Sequence, residues 1–332
     1  MAAKNKSNEI RITRIYDAPV KTVWEAWTDP EQVAQWWGPR GFTLTTHSKD
    51  LRVGGEWCYT MHGPDGVDYP NKTKYFEVEK YSRLVYDHGG NDDRPPLFRV
   101  TVLFTEIKEK TKMDMSMTLP TPEAAEEIRK FIKKAGGDST WDRLAEYLAK
   151  ESFGKDQFVI NRTFDAPIEL MFEMWTNPKH FSQWLSPTGF KMSFLKADIQ
   201  RGGSSFYFMT DGSSTKMYGR AKYLEIEHPN RIVYTQQFCD ENENVSRHPM
   251  APTWPETMLT TVTLAEEGPD KTRVTITWEA HGTTTREELE TFIKAKGGMT
   301  QGWTGSFDKL EAYLAETCLR KTRNPERSAI FS

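Results

Sequence analysis

The chain states one pattern twice. Asp17-Ala18-Pro19 returns as Asp165-Ala166-Pro167, and the displacement, 165 minus 17 or 148 residues, also carries Trp27 onto Trp175, Pro30 onto Pro178, Trp36 onto Trp184, Gly54-Gly55 onto Gly202-Gly203, Tyr59 onto Tyr207 and Arg83 onto Arg231. Solenoid and propeller repeats run at roughly 20 to 50 residues, so a period this long is a whole domain. A length of 332 residues suits two such domains, each able to bury its own core. The boundaries expected are a first domain over 1–152, a second over 153–318 and a C-terminal tail over 319–332. The only linker, Lys150 to Asp156 with Gly154, is short.

Charge and cysteine usage remove several functions. The net charge is −3, and neither half has the basic excess that a phosphate backbone demands, so no nucleic-acid partner is expected. Cys58, Cys239 and Cys318 are an odd number at wide spacings without CxxC, which suggests neither a disulfide framework nor a zinc site. The seven histidines show no HxxxH or HxH spacing, so no metal is expected, and no cofactor loop is present. Asp50 to Gly55 resembles a phosphate loop only until one notes that no helix follows it. No apolar run could cross a bilayer and the N-terminus lacks an apolar core, so membrane insertion is not expected and the location is expected to be cytoplasmic.

Within each unit the hydrophobic period changes twice. Ile10, Ile12 and Ile15 read as a strand ended by the DAP turn, where Asp17 is placed to cap a helix and Pro19 to open it. Val23, Trp24 and Trp27 follow at helical spacing, and Asp29-Pro30 starts a second short helix bearing Val33, Trp36 and Trp37. From Phe42 the period is two: Trp57, Tyr59 and Met61, then Phe98, Val100, Val102 and Phe104, then Met113, Met115 and Met117 alternate with polar partners, as in strands with one buried face. Glycine turns between them predict a sequential antiparallel meander. Ile128, Phe131, Ile132, Trp141, Leu144 and Leu148 return to helical spacing, in a closing helix broken or bent at Gly136-Gly137. The second unit repeats this order, with five extra residues, including Gly302 and Trp303, after its own pair Gly297-Gly298.

The result is an α+β fold: two tandem helix-grip domains, each a curved antiparallel sheet wrapped around a long C-terminal helix, with two short helices. The run from Asp17 to Pro39, the DLRVGG turn, MHGPDG followed by YPN, RLVYDHG and TWDRLAEYL resemble the START-like (SRPBCC) superfamily, specifically the heat-shock protein 90 ATPase activator homologue family. DAPIELMFEMWTNPKHFSQWLSP, DIQRGG and FDKLEAYL carry the same resemblance in the second copy. It implies a cavity between sheet and helix that encloses a small hydrophobic molecule. A chaperone partner is implied by the family's name alone, since the different N-terminal domain of the co-chaperone that gives the family its name is not found in this sequence.

The candidate ligand-binding residues follow from this layout. Trp36, Trp37 and Trp184 end the second small helix, near the cavity mouth; both copies keep Trp36 and Trp184, as core caps would be kept, whereas Trp37 becomes Leu185 and is the better ligand contact. In the first unit the inward strand positions are Trp57, Tyr59, Met61, Phe98, Met113 and Met115. In the second they are Ser205, Tyr207, Met209, Met258, Thr260 and Trp278, with Trp303 on the helix. Ser205 in place of Trp57 predicts a wider or more polar second pocket, unless Trp303 or Trp278 fills the space. The insertion from Cys239 to Pro255 has no equal in the first unit and is placed to cover the mouth. Phe206 and Phe208 replace Cys58 and Thr60 on the opposite face, where two neighbouring rings need cover.

Three functions stay open on the sequence: binding or sequestration of a small hydrophobic molecule, a cyclase- or hydrolase-type enzyme, and a co-chaperone-like interaction module. His62 and His88, oriented by Glu56 or Asp87, are the only acid–base candidates of the first unit. Their counterparts are Thr210 and Gln236, so identical chemistry in both pockets is not expected.

Overall fold

The computed structural model describes residues 7–134, 139–153, 156–213, 216–248 and 251–323. The Gly136-Gly137 break, Gly154, Pro249 and residues 324–332 lie outside them. The chain divides into two compact units, 1–153 and 154–332.

The first unit runs β1 (Glu9–Tyr16), α1 (Val20–Thr28), α2 (Pro30–Trp36), then β2 (Thr43–Lys49), β3 (Glu56–His62), β4 (Asp68–Glu79), β5 (Arg83–Gly90), β6 (Phe98–Ile107) and β7 (Lys110–Thr118), and closes with α3 (Pro122–Lys134) and α4 (Ser139–Phe153). Its seven strands lie in the order β1-β7-β6-β5-β4-β3-β2, each antiparallel to its neighbour. The second unit repeats this with β8 (Phe158–Phe164), α5 (Ile168–Thr176), α6 (Pro178–Trp184), β9 (Lys191–Ala197), β10 (Ser204–Thr210), β11 (Lys216–Glu227), β12 (Arg231–Cys239), β13 (Met258–Gly268), β14 (Lys271–Ala280) and α7 (Arg286–Arg323). These are two tandem helix-grip domains, α+β, with sequential meanders. The period-two reading holds along β7, where Met113, Met115 and Met117 are buried and their neighbours are not.

Local chemistry explains why the copies share their corners. Asp29 ends α1 and caps α2, accepting from the amides of Glu31 and Gln32 at 2.9 Å, and Asn177 does the same for α6 through Lys179. At the start of α1 the N-cap position belongs to Pro19, while Asp17 pairs with Lys110 at 2.6 Å. Gly54 has φ +81° and a Cβ on Gly55 would meet the Asp50 carbonyl oxygen at 2.3 Å; Gly202 and Gly203 repeat both features against Asp198. Glycine is therefore required at the β2–β3 turn and its copy for geometric reasons.

The closing helices differ. In place of α3 and α4, the second unit has one continuous helix of 38 residues that runs through Gly297, Gly298, Gly302 and Gly305 and on into the stretch read as a tail. The five extra residues supply the phase for this. Phe292 and Trp303 are eleven residues apart, about three turns, so both face the sheet, as do Phe307, Leu310 and Leu314 further on. On the other face of the sheet, Phe206 is buried against Tyr218 at 5.9 Å, and Phe208 lies beside Tyr218 and beneath the Lys216 ammonium at 4.6 Å.

Candidate functional site

A cavity of about 600 Å³ lies inside the second unit. Strands supply one wall: Tyr207 and Met209 from β10, Met217, Tyr218 and Gly219 from β11, Tyr234, Gln236 and Phe238 from β12, Met258 from β13 and Trp278 from β14. Helix α7 supplies the opposite wall with Ala295, Gly298, Met299, Gly302, Trp303 and Ser306, and Leu185 and Pro187 close the end after α6. The β12–β13 insertion contributes His248, Trp254, Pro255 and Glu256. It is fastened to α7 by Arg247, which donates to Glu288 at 2.6 Å, by a hydrogen bond between the Thr253 and Thr291 hydroxyls at 2.9 Å, and by the Trp254 ring against Phe292 at 5.6 Å.

The helix face is shaped by what it lacks. A Cβ on Gly298 or Gly302 would meet nothing within 4 Å, so neither glycine is demanded by packing, although each costs a helix about 1 kcal/mol relative to alanine. Across the cavity, Gly219 is demanded: its Cβ would come within 2.6 Å of Tyr207 Cζ. Burial raises the phenols of Tyr207 and Tyr234 above their ordinary range, so both stay neutral. Burial also lowers His248, which packs edge-on to Phe238 at 4.6 Å.

Among the described residues, the corresponding interior of the first unit is crowded with aromatic rings. Strand pairing sets His88 opposite Phe98 and Gln236 opposite Met258, so the second unit has Gln236 for His88, Met258 for Phe98 and Leu185 for Trp37. In the first unit Trp37 packs against Trp57 at 5.4 Å, Trp57 stacks on Tyr59 at 4.1 Å, His88 stacks on Phe98 at 5.1 Å, and Trp27 stacks on Trp141 at 5.6 Å. Trp37, Trp57 and Tyr59 are buried, and Met61 is half-buried beside them.

The structure distributes the candidate residues between core and cavity wall, and Trp36 and Trp184 take the core role that their retention in both copies suggests. Trp36 and Trp184 are core residues, fully buried, donating to the carbonyls of Ala26 and Met174. Met113 and Met115 belong to the core beneath the first sheet. Ser205 and Thr260 are buried in the second sheet and off the cavity wall; Ser205 shares a hydrogen bond with the Tyr223 hydroxyl at 3.2 Å, and Thr260 donates to Gln236 at 3.1 Å. Beside Tyr207, Phe194 of β9 stands where the first unit has Thr46, and packs on that ring at 6.1 Å. Tyr207, Met209, Met258, Trp278 and Trp303 do line the cavity. Trp278 and Trp303 meet edge to face at 5.6 Å and leave the cavity open beside them. Met217, Tyr218, Tyr234 and Phe238 were not foreseen, although Tyr234, Gln236 and Phe238 alternate at period two.

His62 and His88 stand apart from each other and from the carboxylates expected to orient them, Glu56 and Asp87, among the described contacts. His62 sits on the surface, held by Asp68 at 2.6 Å and Thr45 at 2.9 Å, and Asp87 pairs with Arg99 rather than with a histidine. His88 is pushed down to about 4 by burial and is neutral, its Nδ1 beside the Tyr59 hydroxyl at 3.3 Å. Burial draws Lys49 down to about 7, while the Trp57 ring at 4.0 Å and the Trp27 carbonyl at 3.1 Å favour its charged form. Its counterpart in the second unit is Ala197.

Among the described residues no helix is long and apolar enough to cross a membrane. Solved structures with similarity to this chain include a protein from Arthrobacter aurescens (25% identity, covering 43% of this chain and 87% of that one, TM-score 0.41) and a protein from Mycobacterium smegmatis (26%, 44% and 93%, TM-score 0.40). Another is the di-domain ARO/CYC BexL from the BE-7585A biosynthetic pathway (12%, 92% and 98%, TM-score 0.38). Among curated proteins, none matches the chain. The family model described as Activator of Hsp90 ATPase homolog 1-like protein matches residues 17–149 and, a second time, residues 165–315. Two matches over most of the sequence, falling on two copies of one fold, show that the chain belongs to the Activator of Hsp90 ATPase homolog 1-like family and carries its domain in tandem.

Proposed function

We propose that the second unit binds and sequesters a small hydrophobic molecule in the cavity between its sheet and α7, and that the first unit is a packed copy without that role. The observation that carries this reading is the cavity of about 600 Å³ that the second unit's meander encloses against α7, at a level where the described residues of the first unit bring Trp37, Trp57 and Tyr59 together. That volume lies in the range of small-molecule sites, as does a lining of aromatic and methionine side chains with few polar groups. Methionine adapts its shape, so Met209, Met217, Met258 and Met299 suit a tolerant pocket. His62 and His88, the acid–base candidates for an enzyme, both lie outside this cavity.

The test is native mass spectrometry of the freshly purified full chain, beside titration with an apolar fluorescent dye. A bound apolar mass and dye binding are expected, and both should be lost in Gly302→Leu, whose side chain would project into the empty space. Unchanged dye affinity in that variant, with the fold intact, would remove the cavity from consideration.

A further inference from the structure

Resting on that reading, we infer that the guest of the second unit is a flat aromatic cation. The cavity is walled by rings set at steep angles to one another: Trp278 and Trp303 at 72°, Phe238 and His248 at 73°. Rings so arranged form a cage, and the negative faces of aromatic rings attract a delocalised positive charge placed among them. The indole nitrogens of Trp278 and Trp303 are buried out of reach of water and have no hydrogen-bond partner. What these two side chains offer the cavity is therefore ring carbon.

Charge points the same way. Among the described residues neither lysine nor arginine lines the cavity, and the one charged lining residue is Glu256, which is exposed and so marks where the cavity meets solvent. The cations nearby are engaged elsewhere. Arg247 donates to Glu288 at 2.6 Å and lies 3.9 Å from Glu256, Arg220 is held by the Gln237 side chain at 2.7 Å, Lys216 lies over Phe208, and Lys309 donates to the Ser186 carbonyl at 2.9 Å. With His248 held neutral by burial and Arg247 held at 2.6 Å by Glu288, Glu256 is the charge at the mouth, which draws cations and repels anions. Between the walls, the side-chain-free surface at Gly298 and Gly302 lets a flat ring approach the helix closely.

Three tricyclic probes of one size separate the outcomes on the full chain: N-methylacridinium as cation, acridine in mildly alkaline buffer as the neutral form, and anthracene carboxylate as anion. The cation should bind on the order of tenfold tighter than acridine, with the anion weakest, and Glu256→Gln should narrow the cation's advantage several-fold. Acridine binding as tightly as the cation, or a preference for the anion, would overturn the inference while leaving the cavity reading in place. Binding of none of the three, or binding that Gly302→Leu does not weaken, would overturn both.

Discussion

The ring of Tyr207 lies directly over the α-carbon of Gly219, one strand away, so closely that a Cβ there would sit 2.6 Å from Cζ and 2.7 Å from the hydroxyl oxygen. Gly219→Ala must therefore push Tyr207 out of its place in the cavity wall. The expected cost is about 1–3 kcal/mol in chemical denaturation, with weaker dye binding. Adding Tyr207→Ala should recover part of the stability lost, because the clash is between those two groups. A fully additive double mutant would show that the clash is not the cause.

The first unit supplies a recipe for closing the second. Leu185→Trp with Met258→Phe places two of its filling side chains at their equivalent positions. Dye affinity should fall by about tenfold or more while stability rises by about 1 kcal/mol, the usual gain from filling a cavity. Titration and thermal unfolding of the same variant check both. Ser205→Trp should behave differently and destabilise, since Ser205 is buried and shares a hydrogen bond with the Tyr223 hydroxyl.

His88 gives the first unit a pH dependence. Burial lowers its folded value from 6.5 to about 4. Above 6.5 both states hold a neutral ring and stability is constant. As pH falls from 6.5 towards about 4, the unfolded chain takes up a proton that the folded chain refuses, so stability declines, and it levels off below that. The loss should be on the order of 3 kcal/mol, read from hydrogen exchange in β5 and β6. His88→Gln, which installs the residue of the second unit, should flatten the profile.

Lys309 and Arg143 do the same work in the two copies. Arg143 donates to the carbonyls of Gly38 and Pro39 at 2.8 and 2.9 Å; Lys309 donates to the carbonyls of Ser186 and Phe190 at 2.9 and 3.2 Å. Lys309→Met leaves those acceptors without their donor and should cost about 1–3 kcal/mol. Because Leu185 and Pro187 form one end of the cavity, dye affinity should fall as well. Lys309→Arg should restore most of both.

The fold was legible because period and punctuation agree at each step: the repeated Asp-Ala-Pro turn, the Asp29-Pro30 and Asn177-Pro178 caps, the Gly-Gly corners and the alternating methionines of β7 are local signals. The cavity was legible only in part. Comparing the copies position by position located the difference in the second unit but tied it to Ser205, because a one-to-one reading cannot show that Ser205 is hydrogen-bonded to Tyr223 and stands off the cavity wall. Nor does the spacing of four glycines reveal that α7 continues through them. That depends on Phe292 and Trp303 falling in phase, a matter of three helical turns rather than of any single residue.

The distribution of indoles has an optical consequence. Of eleven tryptophans, Trp24, Trp27, Trp36, Trp37, Trp57 and Trp141 belong to the first unit. Trp27, Trp36, Trp37, Trp57 and Trp141 each lie within 6.4 Å of another indole, close enough to share excitation. Trp254, Trp278 and Trp303 stand on the cavity wall. A guest would touch these three, and Trp303 stacks in turn on Trp175 at 6.2 Å, so the indoles of the first unit emit a steady background while those of the second respond, and occupancy can be read as light without attaching a label.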